Sequence, residues 1–252
     1  MEGSFTRKTV MNNDIEIEYY TNNQVNDKAT LILSMGIWEP AERAFPLISR
    51  LIGRHCIVLS YRGRGGSSTP ETGFDWNHHM TDIACVLQNE PTNQPVFLGF
   101  SKGVSYMLGY LSANLDMPKG IIIIDYPAIH SQLQKGAAGF WGNMIYNGNR
   151  LDHYVNINAL EGIELESTYK EFYDLFPKIN CPIWLFRGTA TEADIPSNLT
   201  DEDILKYKSS VNELEIIDFK YSGHMILDEE LGKAVSYVSR ILNKIDMENH
   251  AV

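Results

Sequence analysis

Ser101 lies between Gly99 and Gly103, directly behind the apolar run Val96, Phe97, Leu98, and a helical pattern starts at once after it. A short strand running into such a serine sets it on a sharp strand-to-helix turn. Glycine on both sides lets the backbone close tightly, which leaves the hydroxyl exposed above the sheet. A hydroxyl held this way suits attack on a carbonyl, provided a base takes its proton. His224, in Ser222-Gly223-His224 far downstream, is the base on offer. A serine acting only as a helix cap would need neither glycine.

Other chemistries find little support. His78 and His79 are adjacent, so on a helix they point in different directions and cannot clamp one metal as an i,i+4 pair does. They read as structural or surface residues, and His130 and His153 as solvent-exposed. The loop Arg62-Gly63-Arg64-Gly65-Gly66-Ser67-Ser68 lacks the Lys-Ser/Thr ending of a phosphate loop and reads as a tight turn beneath the site. No metal and no cofactor are expected. The three cysteines, Cys56, Cys85 and Cys181, are far apart in apolar segments and read as buried hydrophobes rather than a disulfide framework.

The net charge of -11 argues against a nucleic-acid partner. No stretch approaches the ~18 apolar residues of a membrane span. The start, Met1-Glu2-Gly3-Ser4, has no apolar signal core, so a soluble cytoplasmic protein is expected. A chain of 252 residues with 44% hydrophobic and 11% aromatic content suits one large α/β domain.

The elements that must position Ser101 and His224 can be read along the chain. Alternation over 9–20, through Ile15, Ile17 and Tyr19, predicts a half-buried edge strand, followed by a turn across 21–28. Apolar runs predict strands at 30–34, 55–60, 96–99, 121–124, 182–186 and 214–219. Helices are predicted over about 41–53, 75–89, 102–114 and 229–244, with Pro46 tolerable only in a first turn. Strands without a polar face imply helices on both sides of a parallel sheet. The segment 127–178 breaks the alternation. With Gly136, Gly139, Gly142 and Gly148, several aromatics and helical pieces near 131–146 and 165–176, it reads as a helical lid inserted within a single domain spanning 1–252. The whole is a doubly wound α/β pattern.

The order of Gly36 after a strand, the glycine-rich loop 62–68, the elbow 99–103 and Ser222-Gly223-His224 before the last helix resembles the α/β-hydrolase superfamily, lidded and esterase- or lipase-like. The resemblance covers nearly the whole chain. It implies a mostly parallel sheet with helices on both faces, Ser101 as nucleophile and His224 as its base. It places the oxyanion hole at the backbone amides of Lys102 and of Ile37 or Trp38. The Lys102 side chain reads as solvated. The acid of the triad is usually on the loop after the seventh strand. Counted forward from Gly188 that slot falls on Thr191, and counted back from Pro196 on Glu192. Asp194 is a nearby alternative, and Asp125, at the end of 121–124, is a position some members use. Two departures stand out: Met35-Gly36 where members often have His-Gly, and Ser60 where they often have Asp.

The expectation is therefore a serine hydrolase of the carboxylesterase or thioesterase kind. It would cleave a carboxylic ester, thioester or related acyl bond of a small molecule with an apolar part. Trp38, Phe100, Phe140 and Trp141 are the expected pocket residues. An acyltransferase or a carbon–carbon bond hydrolase using the same triad, and a non-catalytic small-ligand receptor, remain alternatives. Oligomeric state is open.

Overall fold

The computed structural model describes residues 5–22, 24–146 and 148–249; residues 1–4, expected to carry no apolar signal core, lie outside them. Eight strands form one sheet: β1 (Phe5–Asn12), β2 (Ile15–Asn22), β3 (Leu31–Ser34), β4 (Cys56–Leu59), β5 (Val96–Phe100), β6 (Gly120–Ile124), β7 (Ile183–Gly188) and β8 (Leu214–Phe219). Their spatial order is β1-β2-β4-β3-β5-β6-β7-β8. The β1/β2 hairpin and the β2–β4 pair are antiparallel, and all other neighbours are parallel. The single edge strand expected over 9–20 is thus two strands. β2 runs on through Asn22 because its last four residues pair with β4, Tyr19 opposite Leu59 and Asn22 opposite Cys56.

Six helices bear on the site: α1 (Trp76–Asn89), α2 (Gly103–Ser112), α3 (Ala137–Gly142), α4 (Ile157–Glu166), α5 (Asp201–Ser210) and α6 (Leu231–Asn249). Period-two alternation along β6 sends Ile121 and Ile123 into a core with Ile83 and Val86 of α1 and Val104, Met107 and Leu108 of α2. Ile122 and Ile124 face the opposite core, with Val238, Ile241 and Leu242 of α6. Both faces are covered, which is why these strands carry no polar side.

The helix expected over 41–53 is shorter: a 3-10 turn, Ala41–Ala44, then a helical turn, Phe45–Ile48. Pro46 sits in that first turn, where its missing N–H leaves no partner unsatisfied. Between β6 and β7 the helical pieces also differ from expectation. α4 starts where Asn156 caps it by accepting from the Asn158 amide and ends at Glu166, so the piece expected over 165–176 lies about one helix earlier, and that span ends in a 3-10 turn, Tyr173–Lys178. Between the two the chain extends, and Lys170–Glu171 pairs with Ile129–His130. A third cluster, with Phe74, Leu160, Ile163, Ile37 and Trp141, joins this segment to the sheet's C-terminal edge.

Candidate active site

Ser101 sits between β5 and α2 with φ +53, a left-handed conformation that costs a non-glycine residue roughly 1–2 kcal/mol. Its neighbours make that turn possible by being small. A Cβ on Gly103 would lie 2.3 Å from the carbonyl oxygens of Ser34 and Met35, and one on Gly99 would lie 2.9 Å from Val104 Cα. The glycines therefore serve close packing of helix on strand, and the strain is carried by the serine itself.

Asp125 follows β6, also at positive φ (+47), and is fully buried. Four donors converge on its carboxylate. Gly188 N (2.9 Å) and Ser197 Oγ (2.6 Å) donate to Oδ1; Asn198 N (2.9 Å) and His224 Nδ1 (2.9 Å) donate to Oδ2. A carboxylate accepting at both oxygens requires the proton on Nδ1, so Nε2 of His224 carries the free lone pair. His224 is 6% exposed, stacks on Phe100 at 5.1 Å between ring centres, and donates its backbone N–H to Ile195 O (2.8 Å).

Ser101 and His224 line one cavity of about 420 Å³ together with Ile37, Trp38, Glu39, Phe100, Lys102 and Trp141, among others. Among the described residues Ser101 Oγ makes no hydrogen bond, and Nε2 is hydrogen-bonded to Asn198 Nδ2 at 3.2 Å. With Nε2 an acceptor, the Asn198 amide is the donor. The backbone N–H groups of Ile37 and Lys102 donate to no protein acceptor among the described residues, so both are free for a ligand oxygen. Arg64, wholly buried, braces the first of these loops: its Nε donates to Ile37 O (2.9 Å) and its guanidinium to Arg62 O (2.6 Å).

Several expectations need correction. Glu192 and Asp194 are exposed and make no contact with His224; the loop after β7 turns so that Ile195, Ser197 and Asn198 face the site instead. Phe140, expected in the pocket, is 69% exposed on α3 and lies outside this cavity, whereas its neighbour Trp141 points in and meets Trp38 edge-on at 5.4 Å. Lys102 is not a solvated side chain: the residue is 2% exposed. His130 is fully buried, its Nδ1 2.9 Å from Ser105 Oγ and its Nε2 3.2 Å from Asp75 Oδ1. Burial and the Lys102 charge both lower the His130 pKa.

Three residues were missed. Asn198 has no motif to announce it. Glu39, three residues past Gly36, is buried and accepts from the Gly36 amide (2.9 Å); burial pushes its carboxyl up to about 7, against the Gly36 hydrogen bond and Arg43, which favour ionisation. Glu18 on β2 accepts from Ser60 Oγ (3.0 Å), Gly66 N (2.8 Å) and Arg7 Nε (2.5 Å). It supplies to the glycine-rich loop the carboxylate that Ser60 lacks. Alternation sets Glu18 with Glu16 on the polar half of β2, opposite Ile17 and Tyr19, so no sequence signal announced it.

No protein-family model matches the chain. Over 82 residues it is 29% identical to the 2-(acetamidomethylene)succinate hydrolase of Mesorhizobium japonicum, a stretch that is 32% of this chain and 30% of that protein. Solved structures resemble it along nearly its full length. A proposed aryl esterase from Burkholderia cenocepacia matches with a TM-score of 0.77 at 16% identity, covering 95% of this chain and 99% of that one. An esterase from Rhodococcus sp. ECU1013 matches with a TM-score of 0.75 at 17% identity, covering 96% and 99%. The chain has the α/β-hydrolase fold.

Proposed function

We propose that this chain is a serine hydrolase that cleaves a carboxylic ester, thioester or related acyl bond of a small molecule with an apolar part. The observation that carries the reading is the buried Asp125–His224 couple sharing one cavity with a serine on a left-handed elbow. Ser101 Oγ attacks the carbonyl while His224 Nε2 takes its proton. Asp125 holds the ring in the Nδ1–H tautomer and stabilises the imidazolium. The Ile37 and Lys102 amides receive the negative charge of the tetrahedral intermediate. Collapse of that intermediate expels the alcohol or thiol, which takes the proton back from His224. Water then attacks the acyl-enzyme by the same route in reverse. Asn198 has to give up Nε2 before the first step.

The segment 127–178 serves in this reading as the lid of the site; its Ile129, Leu133 and Trp141 on the cavity wall support that role. Together with Trp38 and Phe100 they favour an apolar portion of substrate. Cys56, Cys85 and Cys181 are free thiols, in keeping with a reducing, cytoplasmic setting. Among the described residues no helix is long and apolar enough to cross a membrane.

A fluorophosphonate probe tests the proposal. Mass spectrometry should locate the adduct on Ser101, with labelling abolished in Ser101→Ala and His224→Ala. Asp125→Asn should slow it by several orders of magnitude, on the order of 10⁴-fold where the tautomer is lost. The contact between Asn198 and Nε2 favours one competing reading, a ligand receptor with a silent site. Failure of Ser101 to label under any condition that admits the probe would sustain the receptor and remove the hydrolase.

A further inference from the structure

Lys102 immediately follows the nucleophile, yet its side chain turns into the protein. Nζ donates to the carbonyl oxygen of Ser131 at 2.6 Å, and both residues line the cavity that holds Ser101 and His224. An ammonium carries three donors. Among the described residues no carboxylate lies within ion-pair distance of this one. Asp75 acts on it only at longer range; its oxygens accept from Trp76 N, Thr168 N and Thr168 Oγ1, and His130 Nε2 lies 3.2 Å from Oδ1. The charge of Arg64 is unfavourable to it as well.

Burying a cation without a partner costs several kcal/mol unless something else supplies the opposite charge. Lys102 lines the substrate cavity, as does the Ser131 to which its Nζ donates, and Tyr126, whose hydroxyl lies 3.3 Å from Ser131 Oγ, adds a second polar group to the same lining. The remaining walls are chiefly apolar. Glu39, the acid on the cavity lining, stands on the Gly36–Ile37 side and, once ionised, repels an anion there.

We infer that Lys102 and Ser131 form an anion-binding subsite, and that the preferred acyl substrate carries a carboxylate which pairs with Lys102 Nζ; this rests on the hydrolase reading. Burial draws the Lys102 ammonium down to about 7, and a bound carboxylate would hold the proton on it. The apolar lining then contacts the chain between the two ends of the substrate, while Ser101 meets the scissile carbonyl.

Two measurements test this. In the first, p-nitrophenyl hydrogen adipate and its methyl-capped diester are compared at pH 7.5 on the wild type and on Lys102→Met, with spontaneous hydrolysis subtracted. A charge-assisted pair predicts about a tenfold or greater preference of the wild type for the free carboxylate in kcat/KM, expressed in KM, with that preference lost in Lys102→Met. Equal turnover of both esters by the wild type, or a preference that survives in Lys102→Met, overturns the inference. In the second, calorimetry follows binding of adipate dianion to the full chain carrying Ser101→Ala, with and without Lys102→Met. Binding that depends on Lys102 supports the subsite even where neither ester turns over, in which case the hydrolase reading alone has failed. Absence of binding together with absence of an ester preference removes the subsite and leaves the hydrolase standing wherever the capped ester is still cleaved.

Discussion

At Nε2 of His224 two donors compete: the Asn198 amide, 3.2 Å away, and the Ser101 hydroxyl that the proposed reaction requires. Asn198 reaches the site from two directions, because its backbone N–H also holds Asp125. Truncation to alanine keeps that backbone bond and removes only the competing donor. An intramolecular hydrogen bond is worth about 0.5–1.5 kcal/mol net, so Asn198→Ala should accelerate phosphonylation of Ser101 roughly 2- to 10-fold. Rapid-quench labelling reads the rate. A slower variant would mean that the side chain supports the base rather than occupying it.

At the scale of elements, the loop after β4 is tied to α1 by a pair buried on both sides. Arg62 donates to both oxygens of Asp82, at 3.0 and 2.6 Å, and also to the carbonyls of Gly73 and His78. Removing one partner strands the other charge in the interior. Asp82→Ala is therefore expected to destabilise the fold by about 3–5 kcal/mol. The Arg240–Glu215 pair joins α6 to β8 at a comparable distance, 2.7 Å, but both of its side chains are more than half exposed. Water and salt screen it, and Glu215→Ala should cost no more than about 1 kcal/mol on that account. Urea denaturation of the two variants checks the contrast, and similar losses would refute it. The buried pair also matters to the site, since the same loop carries Arg64, which braces the Ile37 carbonyl.

The molecule as a whole carries a titration in its interior. Glu39 keeps its proton up to about 7 in the fold, against an ordinary value of 4.5. Between those values the folded chain binds more protons than the unfolded one, so this group's contribution to stability falls as pH rises and is lost above about 7. A displacement of that size corresponds to on the order of 3 kcal/mol. Glu39→Gln retains an acceptor for the Gly36 N–H and cannot ionise. It should melt with the wild type near pH 4 and above it at pH 8. A gap of equal size at both values would exclude burial of the ionised carboxylate as its cause. Lys102 works in the opposite sense: its depressed pKa lowers stability below about 7, and the penalty lifts as pH rises toward 10.5. Comparing each variant with the wild type separates the two.

The primary structure by itself determined the layered fold, and with it the elbow. Period-two and unbroken apolar runs mark strands that helices cover on both faces, and the glycines about Ser101 mark a turn whose geometry is local. His224 was legible for the same reason, in a short loop directly ahead of the last amphipathic helix. Which acid meets it was not legible. Glu192, Asp194 and Asp125 lie on two different loops, and only the adjacency of β6 and β7, with the chain after Gly188 folding back over Asp125, decides among them. The burial of Lys102 and His130, the outward turn of Phe140 and the reach of Glu18 to the loop after Ser60 were likewise decided by tertiary packing. Each depends on what a distant segment places against the side chain, and periodicity along one strand or helix carries no information about that neighbour.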